Sequence, residues 1–336
     1  MSAAGGAART TAAPLRLGTR RSALARTQSE QVAQALRERT GREVELVEVV
    51  TTGDVSRAPL STIGGTGVFV SALRDALLAG TVDLAVHSLK DLPTAPAPGL
   101  ALAAVPPRED PRDVLVAAGG ARLEDLPAGA RVGTGSPRRA AQLRAARPDL
   151  EVVDVRGNVD TRLRLVSEGR MEAVVLAAAG LARLGRSGEV SQVLDPEVVL
   201  PAPGQGALAL ECRADDEAAL AACALLEDPA TRAAVTAERS LLAALEAGCT
   251  APVGALARIG EDGALGLRAL VASADGTTRL ARSGAADPAR AADLGRDLAR
   301  ELLAAGAAAL ADLPAPAPAT PHQDDTAAPP PERVHP

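Results

Sequence analysis

The amino-acid sequence predicts an α/β protein of more than one domain, with a separate antiparallel sheet near the C-terminus. Three observations predict it. Short apolar runs such as residues 82–88 have the length and continuity of strands buried in a parallel sheet. Two such runs, near residues 15–20 and 132–135, end at a glycine turn or helix-start residues, as strand-turn-helix units do. Residues 253–282 instead alternate apolar and polar, as antiparallel strands do. A chain of 336 residues is long enough for two or three domains, each burying a core.

In order along the chain, residues 1–13 are a low-complexity leader, expected to be disordered. A first strand at 15–20 leads to Ser22, which opens a helix to about Arg39 closed by Gly41. Residues 43–51 alternate well enough for a strand. The loop that follows, through Gly64, Gly65 and Gly67, is longer than the usual connection, and loops of that kind are often active-site lids. Phe69 begins the next helix and is expected to pack it onto the sheet. At the carboxyl end of strand 82–88 stand Lys90 and Asp91, where ligands lie in open α/β sheets. As an isolated dipeptide the same pair also fits a plain surface ion pair, and His87 reads as a satisfied core histidine.

Pro106, Pro107 and Pro111 mark a hinge, and a second α/β unit runs from Asp113 to about Leu200. A glycine-proline crossing at 201–206 precedes a strand at 207–212 that returns the chain to the first unit. Residues 216–248 read as two helices split near Asp228 and Pro229; Pro288 to about Ala311 reads as a last helix. From Pro314 the chain is Pro-Ala repeats and charges, expected to be a disordered tail.

The richest stretch is Val132-Gly-Thr-Gly-Ser-Pro-Arg-Arg139 with the basic run after it. Ser136 sits where an N-cap belongs and Pro137 at the first helical position. Freed N–H groups, close approach at Gly133 and Gly135, and the paired guanidinium groups of Arg138 and Arg139 would make an anion site. A second start, Arg156-Gly-Asn-Val-Asp-Thr-Arg162, carries arginines on both sides of its Asn158 cap. Arg20 and Ser22 repeat the arrangement in the first unit. Several such starts suit a ligand with several carboxylates or phosphates, whereas each alone fits a capped surface helix with solvated arginines.

Composition excludes other classes. Net charge is −6, so the arginines are not the footprint of a generally basic nucleic-acid binder. Phe69 is the only aromatic, which removes the stacking platforms of single-strand binders. No membrane span or secretory signal is read. Cys212, Cys223 and Cys249 are odd in number and lack CxxC spacing, against a disulfide framework or a zinc site and in favour of a reducing cytoplasm; no metal is expected. Cys212 and Cys223 read as small buried hydrophobes, while Cys249, in a glycine-proline loop after a helix end, has the setting of an exposed, reactive thiol. Against the arginine-rich background, Lys90 is the only lysine and Asn158 the only asparagine.

From about Leu15 to Leu313 these residues resemble the porphobilinogen deaminase (hydroxymethylbilane synthase) family. The resemblance rests on Leu17-Gly-Thr-Arg-Arg-Ser22, Gly64 to Phe69, Val86-His-Ser-Leu-Lys-Asp91, Arg108-Glu-Asp-Pro-Arg-Asp113, Val132 to Arg139, Val155-Arg-Gly-Asn158, Pro203-Gly-Gln-Gly206 and Glu246-Ala-Gly-Cys249. Singly they are weak; in this order they are very specific.

The resemblance implies a fold of three domains, the first two like the lobes of type II periplasmic binding proteins and the third a small α+β domain with an antiparallel sheet. The boundaries it suggests are 14–106 with 201–224, then 107–200, then 225–313, flanked by leader 1–13 and tail 314–336. It implies a cytoplasmic, monomeric enzyme of haem and tetrapyrrole biosynthesis. Such an enzyme condenses four porphobilinogen molecules head to tail with loss of ammonia, then releases hydroxymethylbilane by hydrolysis for uroporphyrinogen-III synthase. The chain grows on a dipyrromethane cofactor, thioether-linked by position to Cys249. Matching positions assign Arg20, Ser22, Lys90, Thr134, Ser136, Arg138, Arg139, Arg156, Arg162 and Arg183 to cofactor or substrate carboxylates, with Gln205 close by, and give Asp91 the stabilisation of the cation left when ammonia departs. Gly64, Gly65, Gly67 and Phe69 fall in the lid loop.

Three positions depart from the family pattern: Thr62 and Thr66 stand where several relatives carry lysine, and Gly135 where a serine is common. Two rival readings are a plain two-lobed anion-binding protein, which leaves Cys249 idle, and a phosphate or nucleotide enzyme. The second lacks the Lys-Ser/Thr ending of a P-loop, and its glycines do not fit GxGxxG.

Overall fold

The computed structural model describes residues 13–49, 67–247 and 251–311. Strand β1 (Leu15–Thr19) leads to helix α1 (Ala23–Thr40). The Ser22 side chain caps α1, accepting the Ala25 N–H at 3.3 Å, and Gly41 closes its other end. Strand β2 (Val44–Glu48), helix α2 (Gly67–Leu78) and strands β3 (Leu84–Ser88) and β4 (Leu100–Ala104) follow.

The chain then crosses into a second lobe. This holds β5 (Asp113–Ala117), β6 (Arg131–Gly133), α3 (Pro137–Ala146), β7 (Glu151–Val153), α4 (Val159–Ser167), β8 (Ala173–Ala177), α5 (Ala178–Arg183) and β9 (Gln192–Val193). It returns to the first lobe as β10 (Leu208–Arg213).

The two sheets are built alike, in the orders β2-β1-β3-β10-β4 and β7-β6-β8-β5-β9. In each, three parallel strands are followed by one antiparallel strand, β10 or β5, which is the strand entered directly from the other lobe. Two crossings therefore join the lobes, one through residues 105–112 and one through 194–207. Central strands carry continuous apolar runs because helices cover both faces. In the second lobe, Leu115 and Val175 pack on one face with Val132 and Leu143, while Val114, Val174 and Leu176 pack on the other with Leu163.

Helices α6 (Glu217–Ala224) and α7 (Pro229–Ala244) begin at the caps Asp216 and Asp228. The split predicted at Asp228 follows from that cap and Pro229, which suits only the first turn. Strands β11 (Val253–Ile259), β12 (Leu265–Ala272) and β13 (Arg279–Ala286) form an antiparallel sheet. Helices α7 and α8 (Ala291–Ala304) pack against it around Leu241, Leu245, Leu267, Leu298 and Leu302. The molecule is thus α/β in two lobes with a third unit whose sheet is antiparallel.

Some elements differ from expectation. The last helix is preceded by a tight turn at Pro288–Arg290 and broken at Gly306, so that α9 (Ala307–Leu310) is separate. Strands β7 and β9 are short sheet edges, which carry little apolar pattern. Cys212 and Cys223 are buried in the first lobe's core, where burial pushes their thiols up to about 11 and about 12. His87 is buried on β3, its Nε2 3.2 Å from Glu211 Oε2.

Candidate functional site

Strand β3 ends in a single tight turn, Leu89–Asp91, which carries the predicted pair. Leu89 donates its N–H to the Ala207 carbonyl at 3.0 Å, and Leu92 closes the turn on Leu89 at 3.1 Å. The Asp91 residue is exposed and Lys90 half-buried. Loss of water around the Lys90 ammonium, with Arg139 and Arg138 nearby, pushes its pKa down to about 8 against the pull of Asp91 and Asp113.

Gln205 stands between this turn and the second lobe. Its Oε1 accepts from Lys90 Nζ at 3.4 Å and from Arg139 Nη2 at 3.4 Å. Its Nε2 donates to Pro111 O at 2.7 Å and to Asp113 Oδ1 at 2.8 Å. The flanking glycines make this possible. Gly204, at φ 73°, presses on the Lys90 turn, where a Cβ would meet the Lys90 nitrogen at 3.3 Å. Gly206, at φ 88°, runs so close to the Glu109 carbonyl that a side chain would collide with it. The Gly206 carbonyl accepts from Arg183 Nη2 at 2.7 Å.

Arg138 and Arg139 point inward from the first turn of α3. Arg139 gives Nε and Nη2 to Asp113 Oδ1 at 2.9 and 2.7 Å and Nη1 to Val175 O at 3.2 Å. Arg138 Nη1 lies 2.8 Å from Asp113 Oδ2 and donates to Leu200 O at 2.6 Å. Burial opposes the charge on Asp113, but the two guanidinium groups outweigh it and hold the carboxyl well below the usual carboxylate range. Two arginines assigned to ligand carboxylates are therefore first bound to a buried protein carboxylate. That partner, at the start of an apolar strand, carries no local sign of its role.

The remaining predicted residues spread around this centre. Thr134 is buried and accepts the Ser136 N–H at 3.3 Å; Ser136 caps α3, accepting from Arg139 N at 3.5 Å. Asn158 caps α4 in the same way, accepting from Thr161 N at 2.8 Å. Arg162, half-buried on α4, has its pKa lowered by burial and by Arg139 and Arg156. Arg156 is exposed and pairs with Asp154 at 3.2 Å. Arg20 and Ser22 stand at the start of α1, which packs on α5, the helix carrying Arg183. The backbone places Gly67 and Phe69 in the first turn of α2; Gly64, Gly65 and Cys249 lie outside the described residues.

Residues without an assigned role complete the frame. Arg108, in the first crossing, binds Glu238 of α7 with two hydrogen bonds of 2.7 and 3.0 Å and donates Nε to Gln205 O at 2.8 Å. Arg108 and Asp113 share one of the quoted motifs, but only the fold shows what each meets.

The donor set fits a polycarboxylate cofactor. Arg138 Nε and Arg162 Nε are buried without a hydrogen-bond partner, and an orphaned guanidinium N–H is costly unless a ligand oxygen meets it. Family comparison agrees. The model for the porphobilinogen deaminase dipyromethane cofactor binding domain matches residues 15–221, and that for the porphobilinogen deaminase C-terminal domain matches residues 232–304.

The chain belongs to the porphobilinogen deaminase family.

Porphobilinogen deaminase 1 of Streptomyces coelicolor is 61% identical over 308 residues, covering 88% of this chain and 97% of the relative. The porphobilinogen deaminases of Nocardia farcinica and Mycobacterium tuberculosis are 58% identical over 305 residues and 54% identical over 301. They are covered over 88% and 97% of their lengths, against 88% and 87% of this chain. The chain is thus an enzyme of the transferase class in porphyrin biosynthesis, with porphobilinogen as substrate and dipyrromethane as cofactor. Among the described residues, no helix is long and apolar enough to cross a membrane.

Proposed function

We propose that the Lys90–Asp91 turn is the place where each porphobilinogen is joined to the chain, and that the arginines around Gln205 hold the acidic side arms. Each pyrrole ring bears an acetate and a propionate, so successive additions accumulate carboxylates that fixed guanidinium groups can bind. Arg20, Arg138, Arg139, Arg156, Arg162 and Arg183 supply those groups, with Lys90 as a compact ammonium and Ser22, Thr134 and Ser136 as hydroxyl donors. The dipyrromethane, linked to Cys249, supplies the primer to which porphobilinogen units are added. Asp91 places a carboxylate at the carboxyl end of β3, where it stabilises positive charge developing on a pyrrole nitrogen as ammonia leaves and can pass a proton. Asp113 keeps two arginines in place without being a ligand itself.

The observation that carries this reading is the position of Gln205. One side chain touches Lys90, Arg139 and Asp113, and so brings the aspartate-bearing turn of one lobe against the arginine cluster of the other. The reading extends to the domain boundaries given above, to a monomer in the cytoplasm, where buried free thiols persist, and to delivery of hydroxymethylbilane to uroporphyrinogen-III synthase. The test is the intact mass of the purified protein. It should exceed the polypeptide by one linked dipyrrole and rise stepwise when porphobilinogen is added. A bare polypeptide mass that never shifts would refute the reading.

A further inference from the structure

The turn that carries Lys90 and Asp91 is held from the C-terminal domain by Arg239. This residue lies on α7, inside the span that matches the C-terminal family domain. Its Nη1 donates to Leu92 O at 2.8 Å and to Leu89 O at 3.4 Å, and its Nη2 donates to Pro93 O at 2.7 Å. A single tight turn has little hold of its own. Leu89–Asp91 is closed by the Leu92 N–H on the Leu89 carbonyl, and the carbonyls of Leu92 and Pro93 follow directly after it. A planar guanidinium can bind several of those carbonyls at once, which an ammonium on a flexible stem does less well.

The neighbouring residue on α7 governs the other side of the same turn. Glu238 is fully buried and accepts the Gly204 N–H at 2.6 Å and the Ala257 N–H at 2.8 Å. Gly204 in turn presses against Leu89 and Lys90. Two adjacent side chains of one helix thus grip the turn, one directly and one through Gly204.

We propose that Arg239 is a positioning residue, setting where the Asp91 carboxylate stands and coupling that position to the C-terminal domain. The inference rests on the role given to Asp91. The bonds from Arg239 to residues 89, 92 and 93 all go to backbone carbonyls, and the arginines proposed to bind acidic side arms are other residues. Loss of those bonds therefore shifts the turn that bears the reacting group, so the effect is expected on kcat more than on KM.

The test uses the full chain, with dipyrromethane loading checked by intact mass. For Arg239→Ala the expected result is a fall in kcat of about 100-fold, the scale for a displacement of about 1 Å, with KM within about threefold of wild type. Arg239→Lys should recover part of kcat. A fully loaded Arg239→Ala protein with kcat within threefold of wild type would overturn the proposal. So would loss that falls on KM or on primer loading alone, since that marks a merely structural role. If Arg239→Ala does not fold, Arg239→Gln is read by the same criteria. Asp91→Ala is measured beside it: retained turnover there refutes the role of Asp91 itself, whereas loss there with normal Arg239 variants refutes only the coupling.

Discussion

Arg108 and Glu238 meet in a two-pronged contact of 2.7 and 3.0 Å that ties the first lobe crossing to the C-terminal domain. Glu238 is 0% exposed and also accepts two backbone N–H groups, so every lone-pair direction of a buried carboxylate is used. Removing one partner of such a pair leaves a charge buried without compensation. Glu238→Ala should therefore destabilise the protein by about 3–5 kcal/mol. Urea denaturation followed by circular dichroism measures it; a change below about 1 kcal/mol would show that the contact does not hold these parts together.

Asp91→Ala should lower turnover by about 10²-fold or more, the scale of a positioned acid-base or charge-stabilising group. Primer assembly is expected to survive, so the purified variant should keep the dipyrromethane mass. Wild-type turnover in that variant would remove Asp91 from the chemistry.

The three cysteines should behave differently. Cys212→Ala and Cys223→Ala are expected to retain the dipyrromethane, because both thiols are buried and burial pushes them well above neutral pH. Cys249→Ser should lack the normal thioether-linked cofactor. Mass spectrometry of tryptic peptides decides it, and the usual adduct on any other residue would refute the attachment site.

The binding role proposed for Lys90 should make carboxylate binding depend on pH. Its pKa is pushed down to about 8, so the ammonium loses its proton as pH rises through that value. The free enzyme's kcat/KM for porphobilinogen should decline above about pH 8. In Lys90→Arg, where the charge persists, that limb should move upward or vanish. Identical pH profiles for the two proteins would exclude Lys90 from the binding charge.

Glu211 contributes to acid sensitivity. Burial opposes its charge, but the His87 imidazole 3.2 Å away and two hydrogen bonds from Arg74 hold its pKa down to about 2, below the ordinary 4.5. A depressed carboxylate adds stability that is complete above the unfolded value and disappears as pH falls through the folded one. Wild type should therefore lose stability between about pH 4.5 and pH 2 more steeply than Glu211→Gln. Equal slopes in denaturation series across that range would contradict the pairing.

Much of the site was legible because its residues sit at strand ends and helix starts. Ser22, Ser136 and Asn158 announce their caps by type and position, and each accepts the expected N–H. Lys90 and Asp91 follow an apolar strand, and they stand at its carboxyl end. Asp113, Glu238 and Arg239 were not legible as parts of the site. Each is an ordinary charge in its local stretch, and its partners lie 26, 130 and about 150 positions away.

What the sequence determined by itself was local: hydrophobic period, caps, glycine turns and a series of motifs specific to one family. Those depend on neighbours within a few residues, and backbone sterics and hydrogen bonding act over that range. The tertiary structure decided which charges meet. It turned Arg138 and Arg139 onto Asp113, placed Gln205 between the lobes and brought α7 against the Lys90–Asp91 turn. Buried charges must find partners wherever the folded chain brings them, and the distance along the sequence does not constrain that choice.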